Sequence, residues 1–382
     1  MKRKYKPVYF LAVIVFLNLL VRVILSPLLL TIENDLGITR SQASGFFLFI
    51  SLGYVLTMLS SGFISAKLSH RGTILLSIIC TGLVLLLISR NISLNGMRIA
   101  LILLGMSCGL YLPSGIAVIT RVADSKNWGK AIAIHELGPN MSLIAAPLLV
   151  EALLRFYPWR TIFLLLGFVC LLSGILFAVL VKEGNFRGEP PNFTNLGLIL
   201  SKSSFWIMTI LFCLVIGNAL GVYSVLPAYL VSDQAMERDF VNLLVGFSRV
   251  SGLFMVFLSG WLVDRFGVRF ALGTIGLTVG VLTVLLGLTH GIVLVLVIIL
   301  QPMLIAGFFP AAFAALVNIG PDRTRNVAVS LMIPVGNLIG GGVVPAAMGR
   351  LAEHGAFAIG FIIIGAMLTV TILLLFFLKL KE

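Results

Sequence analysis

The chain has 382 residues, 59% of them hydrophobic and 11% charged, with a net charge of +13. So apolar a composition excludes a soluble domain, and the lack of short alternating segments argues against a membrane β-barrel. The positive charge would suit nucleic acid, but it lies in short loops between apolar runs, where membrane topology accounts for it.

Runs of about 20 apolar residues, the length that crosses a hydrocarbon core, recur along the whole sequence. They predict an all-α membrane protein of twelve transmembrane helices, over 8–30, 41–66, 73–89, 96–121, 129–153, 160–181, 204–231, 240–263, 270–289, 292–319, 327–349 and 356–378. The basic start Met1-Lys-Arg-Lys4 would suit a signal peptide, but the first span is too long and no small-residue cleavage site follows it. With the N-terminus inside, lysines such as Lys6, Lys67, Lys130, Lys182 and Lys202 fall at cytoplasmic segments, and outer loops carry Glu33, Asp35, Asp233, Glu237 and Asp239. This bias predicts a multi-pass protein of a bacterial inner membrane with both termini cytoplasmic. The longest polar stretch, 182–203, holds Gly184, Gly188, Pro190 and Pro191 and reads as a linker. It separates an N-terminal six-helix half, 1–181, from a C-terminal one, 204–382. Cys80, Cys108, Cys170 and Cys213 all lie in apolar runs without paired spacing, so neither disulfides nor a metal site is expected.

The halves repeat. Asn18 and Pro27 are matched by Asn218 and Pro227, Pro113 by Pro310, and Gly138 and Pro147 by Gly336 and Pro345, all at offsets of 197 to 200 residues. A fixed offset at independent sites marks an internal duplication. Two halves related by an axis along the membrane normal, with a substrate site at their interface near the midplane, are the arrangement it implies.

Span 8 ends in Gly260-Trp-Leu-Val-Asp264-Arg265-Phe-Gly267-Val-Arg269, and 198 residues earlier stands a worn copy, Gly62-Phe-Ile-Ser-Ala66-Lys67-Leu-Ser-His70-Arg71, with Ala66 in place of the acid. The pattern G-x-L-x-D-R-x-G-x-R resembles the cytoplasmic signature loop of the major facilitator superfamily. The resemblance implies two pseudo-symmetric six-helix halves and transport by alternating access, with Gly62, Arg71, Gly260, Asp264, Arg265, Gly267 and Arg269 forming the gate loops. A carboxylate in such a loop is suited to capping a helix N-terminus and pairing with the arginines.

Ionisable residues inside a membrane are costly and therefore functional candidates. Arg22 lies in span 1, roughly 12 Å from its outer end, and Arg249 in span 8 at roughly 14 Å, taking 1.5 Å per residue. Their repeat equivalents are Val222 and Ser51, so each half contributes one arginine from a different helix. Two guanidinium groups at one depth make a clamp for an anion, because the planar fork matches carboxylate, phosphate or nitrate. The bland alternative is pairing with a structural acid or with backbone carbonyls, yet the one acid well inside a span is Glu136. His135-Glu136 in span 5 lie roughly 10 Å from the cytoplasmic side. They suit either proton coupling or a gate anchor. Asn18, Tyr54, Tyr111, Asn140, Asn218, Tyr223 and Asn337 complete the expected lining. The four histidines are scattered and form no catalytic cluster, so no enzyme and no cofactor is expected.

Asn18-Leu-Leu-Val21-Arg22-Val-Ile-Leu25-Ser26 is similar to the N-x-x-D-R-x-x-L-S pattern of the anion:cation symporter family, with Val21 replacing its Asp. An arginine in span 8 resembles the monocarboxylate and oxalate/formate carriers. The run from Gly336 to Gly342 is similar to the glycine-rich signature of nitrate/nitrite porters, which place their first arginine in span 2 instead. These likenesses imply a small organic carboxylate as substrate, with an inorganic oxyanion as the alternative and efflux or lipid carriage as a third. Coupling would be by protons or by exchange for a counter-anion. The bilayer is the expected surrounding and a monomer the expected state.

Overall fold

The computed structural model describes residues 6–90, 93–124, 127–189, 197, 200–317 and 331–378. The tip of the predicted linker at Pro190 and Pro191, both chain ends and the connection 318–330 lie outside the described residues. Among the described residues there is helix and no strand. Ten helical stretches are long and apolar enough to cross a membrane, from Lys6–Leu36 to Phe357–Phe377. Large apolar side chains such as Ile99, Phe168, Val179, Val370 and Phe376 point outward, as expected where the surrounding solvent is lipid.

The chain divides into two compact units, Met1–Ile38 with Phe49–Pro191 and Thr39–Leu48 with Asn192–Glu382. In the first unit the helices are α1 (Lys6–Val23), α2 (Leu25–Leu36), α4 (Phe46–Ser89, most of it), α5 (Leu94–Gly109), α6 (Tyr111–Val122), α7 (Trp128–Leu154) and α8 (Trp159–Leu180). Two of the interruptions have one cause. A proline lacks the N–H that the carbonyl four residues earlier needs, and its ring pushes that carbonyl aside. Pro27 and Pro113 each stand three residues after a break, at Ile24 and Leu110. Close packing relies on glycine: a Cβ on Gly138 of α7 would lie 2.6 Å from the Ala12 carbonyl oxygen of α1.

The second unit takes in α3 (Arg40–Ser44), capped by a reciprocal Thr39–Gln42 box. It then runs through α9 (Ser203–Ile216), a π-helical turn at Gly217–Gly221, α10 (Val222–Ser232), α11 (Arg238–Ser248), α12 (Gly252–Phe266), α13 (Val268–Leu288) and α14 (Gly291–Val317). After 331–338 come a second π-helical turn at Ile339–Val343, α15 (Val344–Glu353), α16 (Phe357–Thr371) and a 3-10 turn at Ile372–Phe377. Segment Thr39–Leu48 belongs to this unit because its polar groups are met there. The Ser41 amide donates to Glu353 Oε1 at 3.1 Å, and Arg40 Nη1 donates to Ser232 Oγ at 2.9 Å and lies 3.6 Å from Asp233. The two π-helical turns approach backbone to backbone, so a Cβ on Gly221 would lie 2.5 Å from the Gly340 carbonyl oxygen.

The duplicated loops keep the same backbone. Gly267 has φ 83° and ψ 162°, and Ser69, at its place in the worn copy, has φ 71° and ψ 162°. This region is essentially glycine's own. Ser69 reverses the chain within α4 and its Oγ accepts from the Gly72 amide at 3.3 Å. Arg71 and Arg269 also share a role. Arg71 donates to the Ala178 and Val181 carbonyls at 2.6 and 2.8 Å, and Arg269 to that of Leu378, capping the end of the last helix of each unit. Cations belong there, at the negative end of the helix dipole.

Residues 184–188 lie along the worn loop through three backbone hydrogen bonds, Arg71 to Gly184, His70 to Phe186 and Gly188 to Ser65. Replacing Ser69 by glycine removes the side-chain penalty of a positive φ, offset in part by the lost Oγ contact. Ser69→Gly should raise stability by about 1 kcal/mol, and Gly267→Ser should lower it by a similar amount. Both are read as melting temperature in detergent, and equal melting of Ser69→Gly and wild type would refute the strain.

Candidate functional site

Each unit solves the cost of an intramembrane guanidinium with the same parts. Arg22 lies in the last turn of α1, beside the break at Ile24, with its guanidinium carbon 3.9 Å from the centre of the Tyr54 ring on α4. Arg249 is the C-cap of α11, where the path from Arg238 to Phe266 is interrupted at 249–251. Its guanidinium carbon lies 4.7 Å from the centre of the Tyr223 ring on α10, and Nη2 donates to the Ala219 carbonyl in the first π-helical turn at 3.2 Å.

Both arginines therefore sit at the carbonyl end of a half-helix, where the dipole favours a cation. Both lie against a tyrosine ring, whose π face attracts a cation most strongly when desolvated. Tyr54 is 5% and Tyr223 0% exposed. The arrangement is crossed between units: span 1 supplies the arginine and span 2 the ring in the first, whereas span 8 supplies the arginine and span 7 the ring in the second. A guanidinium held by its face keeps N–H groups at its edge for a planar oxyanion. Arg249 Nε is buried without a hydrogen-bond partner among the described residues.

A second constellation lies in the first unit. The Tyr111 hydroxyl donates to the Leu11 carbonyl of α1 at 2.7 Å and lies 3.0 Å from His135 Nε2. His135 Nδ1 lies 3.1 Å from Glu136 Oε1. The imidazole is wholly buried, whereas the Glu136 side chain is 52% exposed. Glu136 is within electrostatic reach of both Tyr54 and Tyr111, and Arg22 of Tyr54 and Cys108.

The expected amides bind mainly helix backbone. Asn18 Nδ2 donates to the Cys108 carbonyl at 2.9 Å, tying α1 to the end of α5. Asn140 donates to the Glu136 carbonyl, Asn218 to that of Leu214 and Asn337 to that of Ile333. Asn218 Oδ1 is buried with no hydrogen-bond partner among the described residues. Beside it Gln301, absent from the expected lining, donates to the Asn218 carbonyl at 3.4 Å and to Thr283 Oγ1 at 3.2 Å. An amide next to Pro302 in so apolar a run was a visible signal.

In the second loop Asp264 is exposed and the N-terminus of α13 has no side-chain cap. Gly267 rather than an acid holds the N-cap position of that helix. Arg265 lies over Trp261 and Phe266 at 5.9 and 5.8 Å. Gly62 and Gly260 stand one turn and more before the two reversals. No group of three His, Cys, Asp or Glu side chains suited to a metal occurs among the described residues.

The family model of the Major Facilitator Superfamily matches residues 11–251 and again 211–382. The chain belongs to that superfamily: it is a multi-pass membrane transporter and not an enzyme. It is 26% identical over 302 residues to the uncharacterised MFS-type transporter YbcL of Bacillus subtilis (strain 168), covering 77% of this chain and 75% of that one. Its fold is similar to that of a bacterial homologue of the human lysosomal transporter Spinster in an inward-facing, occupied conformation (TM-score 0.83, 17% identity, 97% of this chain and 96% of that one). A D-xylose–proton symporter matches similarly (TM-score 0.78, 15% identity, 96% and 95%).

The stacking energy is separable from simple burial of the ring. In a double-mutant cycle of Arg249→Met with Tyr223→Leu, the coupling should be about 1–2 kcal/mol, measured by thermal unfolding. Tyr223→Phe should retain most of it, and additive single effects would exclude the pairing.

Proposed function

We propose that this transporter carries a small organic anion bearing a carboxylate, by alternating access, with Arg22 and Arg249 as its charged ligands. The observation behind this reading is that two guanidinium groups within apolar spans are each held by a tyrosine face and a half-helix terminus. Arg249 Nε is buried without a hydrogen-bond partner among the described residues, so an incoming carboxylate would meet a donor already in place. Closing apolar walls around a cation is less costly once an anion neutralises it. Tyr54, Tyr223, Asn18, Tyr111, Asn140, Asn218 and Asn337 form the polar surroundings in this proposal, and the two duplicated loops act as gates.

The same reading counts twelve crossings. Arg40–Ser89 counts as two, divided at Ser69, and Arg238–Phe266 adds one to the ten long helices. The halves are 1–181 and 204–382 joined by 182–203, and the protein works as a monomer in a bacterial inner membrane with both termini cytoplasmic. Coupling runs through protons at His135 and Glu136, or through exchange for a counter-anion.

Purified protein melted against mono- and dicarboxylates, sugar acids, organic phosphates, nitrate and phosphate tests the substrate class. A ligand of the folded state at 100 times its Kd stabilises by about 2.7 kcal/mol. We expect a carboxylate to raise the melting temperature, and Arg22→Ala and Arg249→Ala each to abolish the rise while Lys substitutions retain a fraction of it. A response to nitrate alone would make the substrate an inorganic oxyanion. A response confined to lipids or hydrophobic cations would make the arginines structural.

A further inference from the structure

The hydrogen bonds around His135 leave few ways to place their protons. The Leu11 carbonyl can only accept, and the Tyr111 hydroxyl has a single proton to donate. If that proton points to Leu11 (2.7 Å), the contact between the phenol oxygen and His135 Nε2 (3.0 Å) needs a proton on Nε2. If it points to Nε2, that nitrogen must be bare. On the other side of the ring, Nδ1 lies 3.1 Å from Glu136 Oε1, and an ionised carboxylate can only accept. Nδ1 therefore carries a proton in both cases.

With Glu136 ionised, two arrangements satisfy these contacts. In one, His135 is an imidazolium donating to Glu136 and Tyr111, and Tyr111 donates to Leu11. In the other, His135 is neutral with its proton on Nδ1, and Tyr111 donates to Nε2. They differ by one proton and one turn of a hydroxyl group. The rings of Tyr111 and His135 lie nearly parallel, at 7° with centres 5.9 Å apart, so the turn needs no movement of either ring.

We propose that His135 is the proton-binding site of this transporter, with Glu136 as its counter-charge and Tyr111 as the positioning residue that passes its charge state to α1. The proposal rests on the proton-coupled form of the function above. Loading adds one proton to the Nε2 lone pair and releases the Tyr111 hydroxyl to Leu11; unloading reverses both. Helices α1, α2, α6 and α8 pack against α7, and their ionisable side chains are Lys6, Tyr9 and Arg22, Glu33 and Asp35, Tyr111 and Arg121, and Arg160 and Cys170. α7 itself adds Lys130, Glu136 and Glu151. Among the described residues, those meeting the imidazole are Tyr111 and Glu136. Leu11 shares α1 with Arg22, so the hydroxyl that reports the proton contacts the helix carrying one proposed anion ligand.

The test needs no ligand, so its failure is distinct from failure of the anion reading. Protein with His70, His290 and His354 replaced by Gln, leaving His135 as the sole histidine, is labelled with 15N-histidine and placed in nanodiscs. Its ring-nitrogen spectra are followed from about pH 5 to about pH 8. We expect both nitrogens protonated at the acid end and the Nδ1–H tautomer at the alkaline end. Glu136→Gln should move the midpoint, because the cation loses its counter-charge. Tyr111→Phe should move it as well, since the imidazole loses its hydrogen-bond partner at Nε2. One unchanging protonation state across the range would overturn the proposal. So would a neutral form protonated on Nε2, or a midpoint indifferent to both substitutions. If the triple variant fails to fold, wild-type protein compared with His135→Asn gives the same signal by difference.

Discussion

A guanidinium group in a hydrocarbon layer must find replacements for the water it has lost. Here two kinds of replacement converge on each arginine, and a third on Arg249. A tyrosine ring covers one face, the end of an interrupted helix supplies partial negative charge, and, for Arg249, a backbone carbonyl accepts a hydrogen bond. A ring and a helix dipole stabilise a cation without occupying its edge.

Interrupting a helix costs hydrogen bonds, so each break has to be compensated locally. Pro27 and Pro113 create two breaks, and Asn18 spans from α1 to the carbonyl of Cys108 where the second begins. The π-helical turn at Gly217–Gly221 frees a carbonyl that Arg249 takes up. The polar residues along these spans thus answer first to the backbone, and the surplus that remains, such as Asn218 Oδ1, is small. The same logic governs the cytoplasmic loops. There Arg71 and Arg269 complete the last helix of their unit, which explains why both copies of the loop keep that arginine although the first has lost the acid.

The membrane class, the helical spans, the duplicated loop and the two arginines were legible because each leaves a mark in composition or spacing. A charge stands out in an apolar run, and a duplication stands out as a constant offset. The tyrosines were visible as polar aromatic residues, but nothing in their spacing tied Tyr54 to Arg22 or Tyr223 to Arg249, since those contacts join different spans. The break at Arg249 was hidden because no proline marks it. Both π-helical turns were hidden too, because a glycine in a membrane helix is equally consistent with close packing. In the loops, the helix-end groups that arginines meet among the described residues lie at C-termini, where Arg71 and Arg269 donate to backbone carbonyls. Likewise, Thr39–Leu48 reads as the start of span 2, yet Arg40 and Ser41 find their partners on Ser232, Asp233 and Glu353.

These threads come together on α1. Its Leu11 carbonyl meets the tyrosine that faces His135, its Asn18 holds the end of α5, and its Arg22 lies against Tyr54 just before the helix is interrupted. A helix with contacts of three kinds along its length, ending at a break, can respond to a change at any of them by small adjustments against fixed neighbours. In the proposed mechanism a proton added at His135 would strengthen the hydroxyl contact to α1, and an anion added at Arg22 would weaken the hold of the Tyr54 ring by neutralising the charge it attracts. The two proposed events would act on one element through different residues, as coupling between two ligands requires: each must alter the free energy of a structure that the other also senses.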